Sequence, residues 1–131
     1  MDVYIDLSQF KVFQNKIQRL SEEFKNQAIK EITQVASQNI LQQTQANTPV
    51  DTGTLRRGWK TEINDIPNGY QIEISNNVEY APYVEYGHRT RGGKSFVEGR
   101  YMLTNAMRDT ENNFGQLAEN TIDNFFNSRG L

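Results

Sequence analysis

Gly93-Lys94-Ser95 is the fragment most suggestive of chemistry, because phosphate-binding loops end in Gly-Lys-Ser/Thr and wrap the phosphates in backbone amides. The glycine that such a loop requires five positions before Gly93 falls on His88, and Gly87 stands one residue off. No buried hydrophobic strand precedes it either, so the amide cradle cannot be assembled in this register, and the fragment reads as a flexible basic loop. His88 is the single histidine. A histidine base needs an orienting acid, and a metal site needs several ligands; Glu85 alone supplies neither set. Glu79 and Glu85 form a possible acid–base pair in type, but Glu-Tyr at a strand end is more often a surface carboxylate against a ring. The absence of cysteine excludes thiol catalysis, a disulfide framework and Cys-ligated metal. No Ser/His/Asp triad is defined. The chain is therefore read as non-enzymatic, with no catalytic, cofactor or metal site assigned.

Residue types suited to binding are more concentrated. Tyr80, Tyr83 and Tyr86 recur at spacing three around Pro82. Such rings anchor interfaces while their hydroxyls stay hydrogen-bonded; they serve equally well to cover a helix–sheet core, and both readings stand. Arg89, Arg91, Lys94 and Arg100 form the one basic cluster, against a single Glu98. Three readings fit it: a solvated loop, a loop ordered by a protein partner, or a phosphate-facing surface. Net charge is only −2, so bulk charge cannot hold nucleic acid and a clustered face would have to.

The elements that position these residues follow from periodicity. Val3, Ile5 and Leu7 alternate with polar neighbours as a short strand, and Ser8 can cap a helix. Phe10, Phe13, Ile17, Leu20 and Phe24 then share one helical face, continued by Ala28, Ile32, Val35 or Ala36, and Ile40. Ser21-Glu22-Glu23 can restart a helix, so one bent helix or a short one followed by a long one is expected. Pro49 ends it. Asp51 or Thr52 can cap a short turn through Leu55, closed by Gly58. Trp59, Thr61 and Ile63, then Tyr70, Ile72 and Ile74, alternate around Pro67-Asn68-Gly69 as a β-hairpin. Val78-Glu79-Tyr80 is expected as a third strand, limited by Pro82. Residues 87–99 read as a polar, basic, mobile loop. A last helix runs from about Tyr101 to Phe126 on Leu103, Ala106, Met107, Phe114, Leu117, Ala118, Ile122 and Phe125.

This order gives an α+β fold: a long N-terminal helix, broken or not, a small antiparallel sheet with its hairpin, and a C-terminal helix. At 131 residues the chain is expected to be one domain. Hydrophobic residues make up only 36%, and mean hydropathy is −0.75. The core must be thin, and other subunits are expected to complete its burial. No apolar run approaches the ~18 residues of a membrane span, and residues 1–20 carry polar side chains throughout, unlike a secretory leader.

Thr48-Pro49-Val50-Asp51-Thr52-Gly53-Thr54-Leu55-Arg56-Arg57 resembles the signature P-V-D-T-G-x-L-R-x-S of tailed-bacteriophage neck proteins, the gene-product-ten-like head–tail joining family. Tyr80-Ala81-Pro82-Tyr83-Val84-Glu85-Tyr86-Gly87 resembles its second signature, Y-A-x-Y-V-E-F-G-T, and Tyr101 to Met107 echoes a third, F-L-x-P-A-L. Order and spacing agree over about residues 28–107. His88 departs from the usual Thr, Trp59 follows Gly58 where many relatives have Ser then Ile, and Asn105 stands where proline is common, which leaves the start of the last helix open.

The resemblance implies a structural component of a phage or phage-tail-like particle. It would be made in the bacterial host cytoplasm and sit in the virion neck, as a homo-oligomeric ring through which DNA passes. A head-closure or connector protein would lie on one side and a tail terminator or tube protein on the other, with no membrane involved. Asp51, Thr52, Gly53, Arg56, Arg57, Tyr80, Tyr83, Glu85 and Tyr86 would then make inter-subunit or partner contacts, the arginines pairing with carboxylates, Glu85 among them. Arg89, Arg91, Lys94 and Arg100 would face the channel or its DNA without sequence readout. Locally, Asp51 and Thr52 suit a hydrogen-bonded chain reversal, Gly53 a positive φ or close approach, and Glu85-Tyr86-Gly87 the end of the third strand. An alternative from another class is a free nucleic-acid- or partner-binding regulatory module of a mobile element.

Overall fold

The computed structural model describes residues 1–6, 21–67 and 69–130. Its sheet grows from the expected hairpin. Strands β2 (Trp59–Ile66) and β3 (Gly69–Asn76) follow β1 (Asp2–Asp6) in the chain. β2 and β3 pair antiparallel, Ile63 opposite Ile72 and Thr61 opposite Ile74, so the alternation sends one apolar row to one face. β1 pairs with the other edge of β3, with Val3 opposite Ile74, giving the order β1-β3-β2. The terminal ammonium of Met1 donates to the Asn76 carbonyl at 3.0 Å and fastens that edge. Ser8 and the stripe from Phe10 to Leu20 lie outside the described residues.

The Ser21 restart is present. Helix α1 (Glu22–Asn47) begins with Ser21 Oγ accepting from the Phe24 amide at 3.3 Å, and Glu22 and Glu23 occupy the first turn, where the helix dipole favours negative charge. Its buried face runs through Ala28, Ile32, Ala36 and Ile40; Ala36, not the exposed Val35, carries the stripe. After α2 (Thr54–Arg57) and α3 (Ala81–Tyr86), the chain ends in α4 (Met102–Arg129). α1 packs against β2, β3 and α4. Asn39 bonds Thr110 at 3.0 Å, Arg129 meets Glu31 at 3.0 Å, and Asn47 Nδ2 donates to the Met102 carbonyl at 3.1 Å, so the two long helices run antiparallel.

A thin core is workable because its residues are small. Among the described residues, five of the sixteen buried hydrophobic residues are alanines, which let the helices close on one another. Buried Thr33, Thr44, Thr48 and Thr121 return their hydroxyl protons to the carbonyl four residues back, at 2.6–2.8 Å. Polar side chains thereby enter the interior without an orphaned donor.

Two expected features are corrected. Val78-Glu79-Tyr80 is not a third strand, because β1 already occupies the free edge of β3. Asn76 instead ends that strand: its Oδ1 accepts from the Val78 amide and its Nδ2 donates to the Leu55 carbonyl, both at 2.9 Å. The chain then turns into α3, where Pro82 occupies the first turn, a position at which its missing N–H costs nothing. Residues 87–100, expected as a loop, contain paired strands. Strands β4 (Gly87–Arg89) and β5 (Phe96–Glu98) form a two-stranded ribbon, with His88 opposite Val97 and Arg89 opposite Phe96.

Candidate interaction surface

The segment between α1 and β2 is fixed from inside. Thr48 is buried at the end of α1 and its hydroxyl accepts from Trp59 Nε1 at 2.9 Å, while Arg56 donates to the Thr48 carbonyl at 3.0 Å. Thr52 Oγ1 accepts from the Thr54 amide at 3.3 Å and starts α2. Gly53 precedes α2 at φ +83°, the left-handed conformation expected of it. Leu55 points into the core. Asp51 and Thr52 are left exposed on the outer side, with Arg57, whose guanidinium reaches back to the Thr52 carbonyl at 3.5 Å.

α3 divides its residues sharply. Ala81 and Glu85, one turn apart, are fully buried, whereas Tyr80, Tyr83 and Tyr86 are 46%, 59% and 54% exposed. About half of each tyrosine is therefore left open to a partner. Glu85 is corrected, from a surface carboxylate to a buried one. Its carboxylate accepts from the amides of Leu103 and Thr104 at 2.9 Å each and from the Thr104 hydroxyl at 2.7 Å. It is the cap of α4, supplied from a different helix, where charge and helix dipole reinforce the hydrogen bonds. The burial that makes this possible removes Glu85 from any partner of Arg56 or Arg57. The cap also accounts for Tyr101, which precedes α4 at φ +48° and has no capping side chain of its own. Its amide donates to the Glu85 carbonyl at 3.0 Å and holds this strained turn in place.

The ribbon emerges from α3 through a backbone contact that tolerates no side chain. A Cβ on Gly99 would stand 2.5 Å from the Glu85 carbonyl oxygen, and one on Gly87 would stand 2.5 Å from that of Val97. Beyond this crossing every side chain from Arg91 to Glu98 is exposed. The Gly-Lys-Ser fragment sits at the ribbon's tip, where Thr90 and Ser95 close the turn through the Thr90 amide and the Ser95 carbonyl at 2.8 Å. Arg89, Arg91, Lys94 and Arg100 have no carboxylate within 4 Å among the described residues. His88 is exposed, with its ring edge-on to Tyr83 at 5.9 Å. Among the described residues no group of three or more His, Asp or Glu is placed to hold a metal ion.

An open groove of about 340 Å³ brings the two signature segments together. Val50 and Gly53 line it from the first, Tyr80 and Tyr83 from the second, and Val97 and Arg100 from the ribbon side. Asp51 and Thr52 also reach it, whereas Arg89, Arg91 and Lys94 lie away from it, and Tyr86 faces a separate recess beside Val3 and Met107. Among the described residues, four of the exposed large hydrophobic side chains, Val50, Tyr80, Tyr83 and Val97, line this groove, and Tyr86, Phe96 (56% exposed) and Tyr101 are exposed on the neighbouring segments. A contiguous exposed apolar patch marks a contact surface, and an isolated two-stranded ribbon is marginal in water without something packed on it. Phe96-Val97, an apolar pair inside a polar run, was the overlooked sequence signal.

The fold and this surface define a small α+β module that presents a groove, a tyrosine helix and a basic ribbon. Residues 11–87, more than half of the chain, match the family described as "Bacteriophage HK97-gp10, putative tail-component". The chain belongs to that family of bacteriophage tail components, in agreement with the resemblance carried by its signatures. No curated protein and no solved structure matched it. No helix among the described residues is long and apolar enough to cross a membrane.

Proposed function

We propose that this chain is a structural, non-catalytic subunit of the phage neck, closing with copies of itself into a ring around the DNA path. A head-closure or connector protein would adjoin the ring on one side and a tail terminator or tube protein on the other. The observation that carries the reading is the concentration of exposed aromatic and aliphatic side chains on α3 and the Pro49–Gly53 segment, which bear two of the family signatures, and on the adjoining ribbon. Asp51, Thr52, Gly53, Arg56, Arg57, Tyr80, Tyr83 and Tyr86 are the contact residues in this account, Arg56 being exposed although it also bonds the Thr48 carbonyl; Glu85 shapes the surface from within. Repetition around an axis turns one modest basic cluster per subunit into a belt, which suits transient, sequence-independent contact with passing DNA. The test is imaging of purified particles together with mass in solution. A ring at the junction that contains this chain is the expected result. A particle without the chain, combined with salt-dependent DNA binding by a free monomer, would replace this reading with that of a regulatory module.

A further inference from the structure

The side of the sheet turned away from α1 carries a charge arrangement that the described residues leave unbalanced. The register places Tyr4 opposite Glu73 and Glu73 opposite Glu62, so a ring and two carboxylates form one row across three strands. Tyr4 and Glu62 are exposed and Glu73 is half-buried. Tyr4 Oη donates to Glu73 Oε1 at 3.4 Å and Asn64 Nδ2 to Glu73 Oε2 at 3.5 Å. The next row is Asp2, Ser75 and Lys60, with the Met1 ammonium 4.0 Å from Asp2. Like charges directly opposite on antiparallel strands are unfavourable, yet neither Glu62 nor Glu73 has a cation within 4 Å among the described residues. The local potential is negative enough to push the Tyr4 phenol above its ordinary value, through the Glu73 carboxylate first, then burial and Asp2.

The ribbon has the converse character. Arg89, Arg91 and Lys94 lie on the ribbon, exposed and with no carboxylate partner among the described residues. We propose that the basic ribbon of one copy docks on the open sheet face of the next, with an arginine of the ribbon over Tyr4 and between Glu62 and Glu73. An arginine fits this row in both shape and charge: its plane stacks on the ring, and its fork of N–H groups takes carboxylate oxygens in pairs. In this contact Arg89, Arg91 and Lys94 are taken up by the neighbouring copy and no longer face DNA, which leaves Arg100 for the DNA path; DNA phosphates would neutralise the three but would leave the Glu62–Glu73 row without a cation. A second copy satisfies both. Each copy gives a ribbon and receives one, so the contact is head-to-tail and ends only where the chain of copies closes on itself. Ring closure rests on the proposed function; the pairwise contact stands by itself.

Charge reversal tests it. In the wild-type chain at high concentration, a zero-length carbodiimide is expected to couple Lys94 of one copy to Glu62 or Glu73 of another, with yield falling as salt is raised. R89E/R91E alone and E62K/E73K alone are each expected to lose association by light scattering, while circular dichroism stays unchanged because all four residues lie off the core. An equimolar mixture of the two variants is expected to recover it, since each acidic ribbon then meets a basic sheet. Wild-type chain that yields no such cross-link, or a mixture no more associated than its components, overturns the proposal. Cross-linked pairs without a ring in the particle would instead count against the neck reading alone, and a ring whose cross-links lie elsewhere would count against this contact alone.

Discussion

Glu85→Gln is the substitution that bears most directly on how the surface is built. The change keeps the shape of the side chain and removes its charge. In the native chain Oε1 accepts from the Leu103 amide, while Oε2 accepts from the Thr104 amide and hydroxyl. Glutamine keeps one acceptor oxygen and must turn its NH₂ toward a backbone N–H on the other side, donor against donor in a site with no exposure to water. At least one charge-assisted hydrogen bond is lost, at about 1.5–3 kcal/mol. The helix-dipole interaction adds about 0.3–1 kcal/mol. Together these destabilise the fold by about 2–4 kcal/mol, and in a chain of this length that lowers Tm by about 6–20 °C. Glu85→Ala should cost more, since it orphans both amides and the hydroxyl and leaves a void. Urea unfolding gives the free energy, and amide exchange at Leu103 and Thr104 shows whether α4 loosens at its start. A Gln variant within about 0.5 kcal/mol of wild type, the range of an ordinary surface change, would refute the capping role.

Gly99→Ala should destabilise by about 1–3 kcal/mol or more, because the added methyl meets the backbone of Glu85, Tyr86 and Gly87 at 2.5–2.9 Å; urea midpoints measure it. Tyr101→Gly should be neutral or mildly stabilising in the same assay, since it relieves a left-handed conformation costing about 1 kcal/mol at an outward-facing ring. Glu73→Gln should move the Tyr4 titration down toward 10.0, by removing the carboxylate that most disfavours the phenolate. The difference between spectra of the chain and of its Tyr4→Phe variant isolates that phenol, and an unmoved midpoint would contradict the electrostatic account of the open sheet face.

The parts of the fold legible in the sequence are those written as repeating apolar positions. The hairpin follows from Trp59, Thr61 and Ile63 facing Ile72 and Ile74, and the two long helices from stripes through Ile32 and Ile40 and through Phe114 and Ile122. Ser21 and Gly53 were readable because a cap and a positive φ depend on local chemistry. What escaped was settled by contacts distant in sequence. The segment from Val78 to Tyr86 contains residues that favour strands, but β1 fills the sheet edge they would have used, and Ala81 and Glu85 bury together only on a helix. Glu85 resembles a surface acid because its partners are backbone amides on α4, eighteen residues away, and no side-chain pattern announces them. The ribbon hid behind two glycines that suggested looseness, although Gly87 and Gly99 are there so that two backbones can touch.

The central claim is that the outward face of α3 and the ribbon, exposed in the single chain, is covered in the particle. Hydroxyl-radical footprinting of Tyr80, Tyr83, Tyr86 and Phe96, compared between the free chain and intact virions, measures this directly. The account predicts strong protection of several of these rings in the virion, while Val35, exposed on α1, keeps its free-chain reactivity. Equal labelling of all four rings in both states would contradict it.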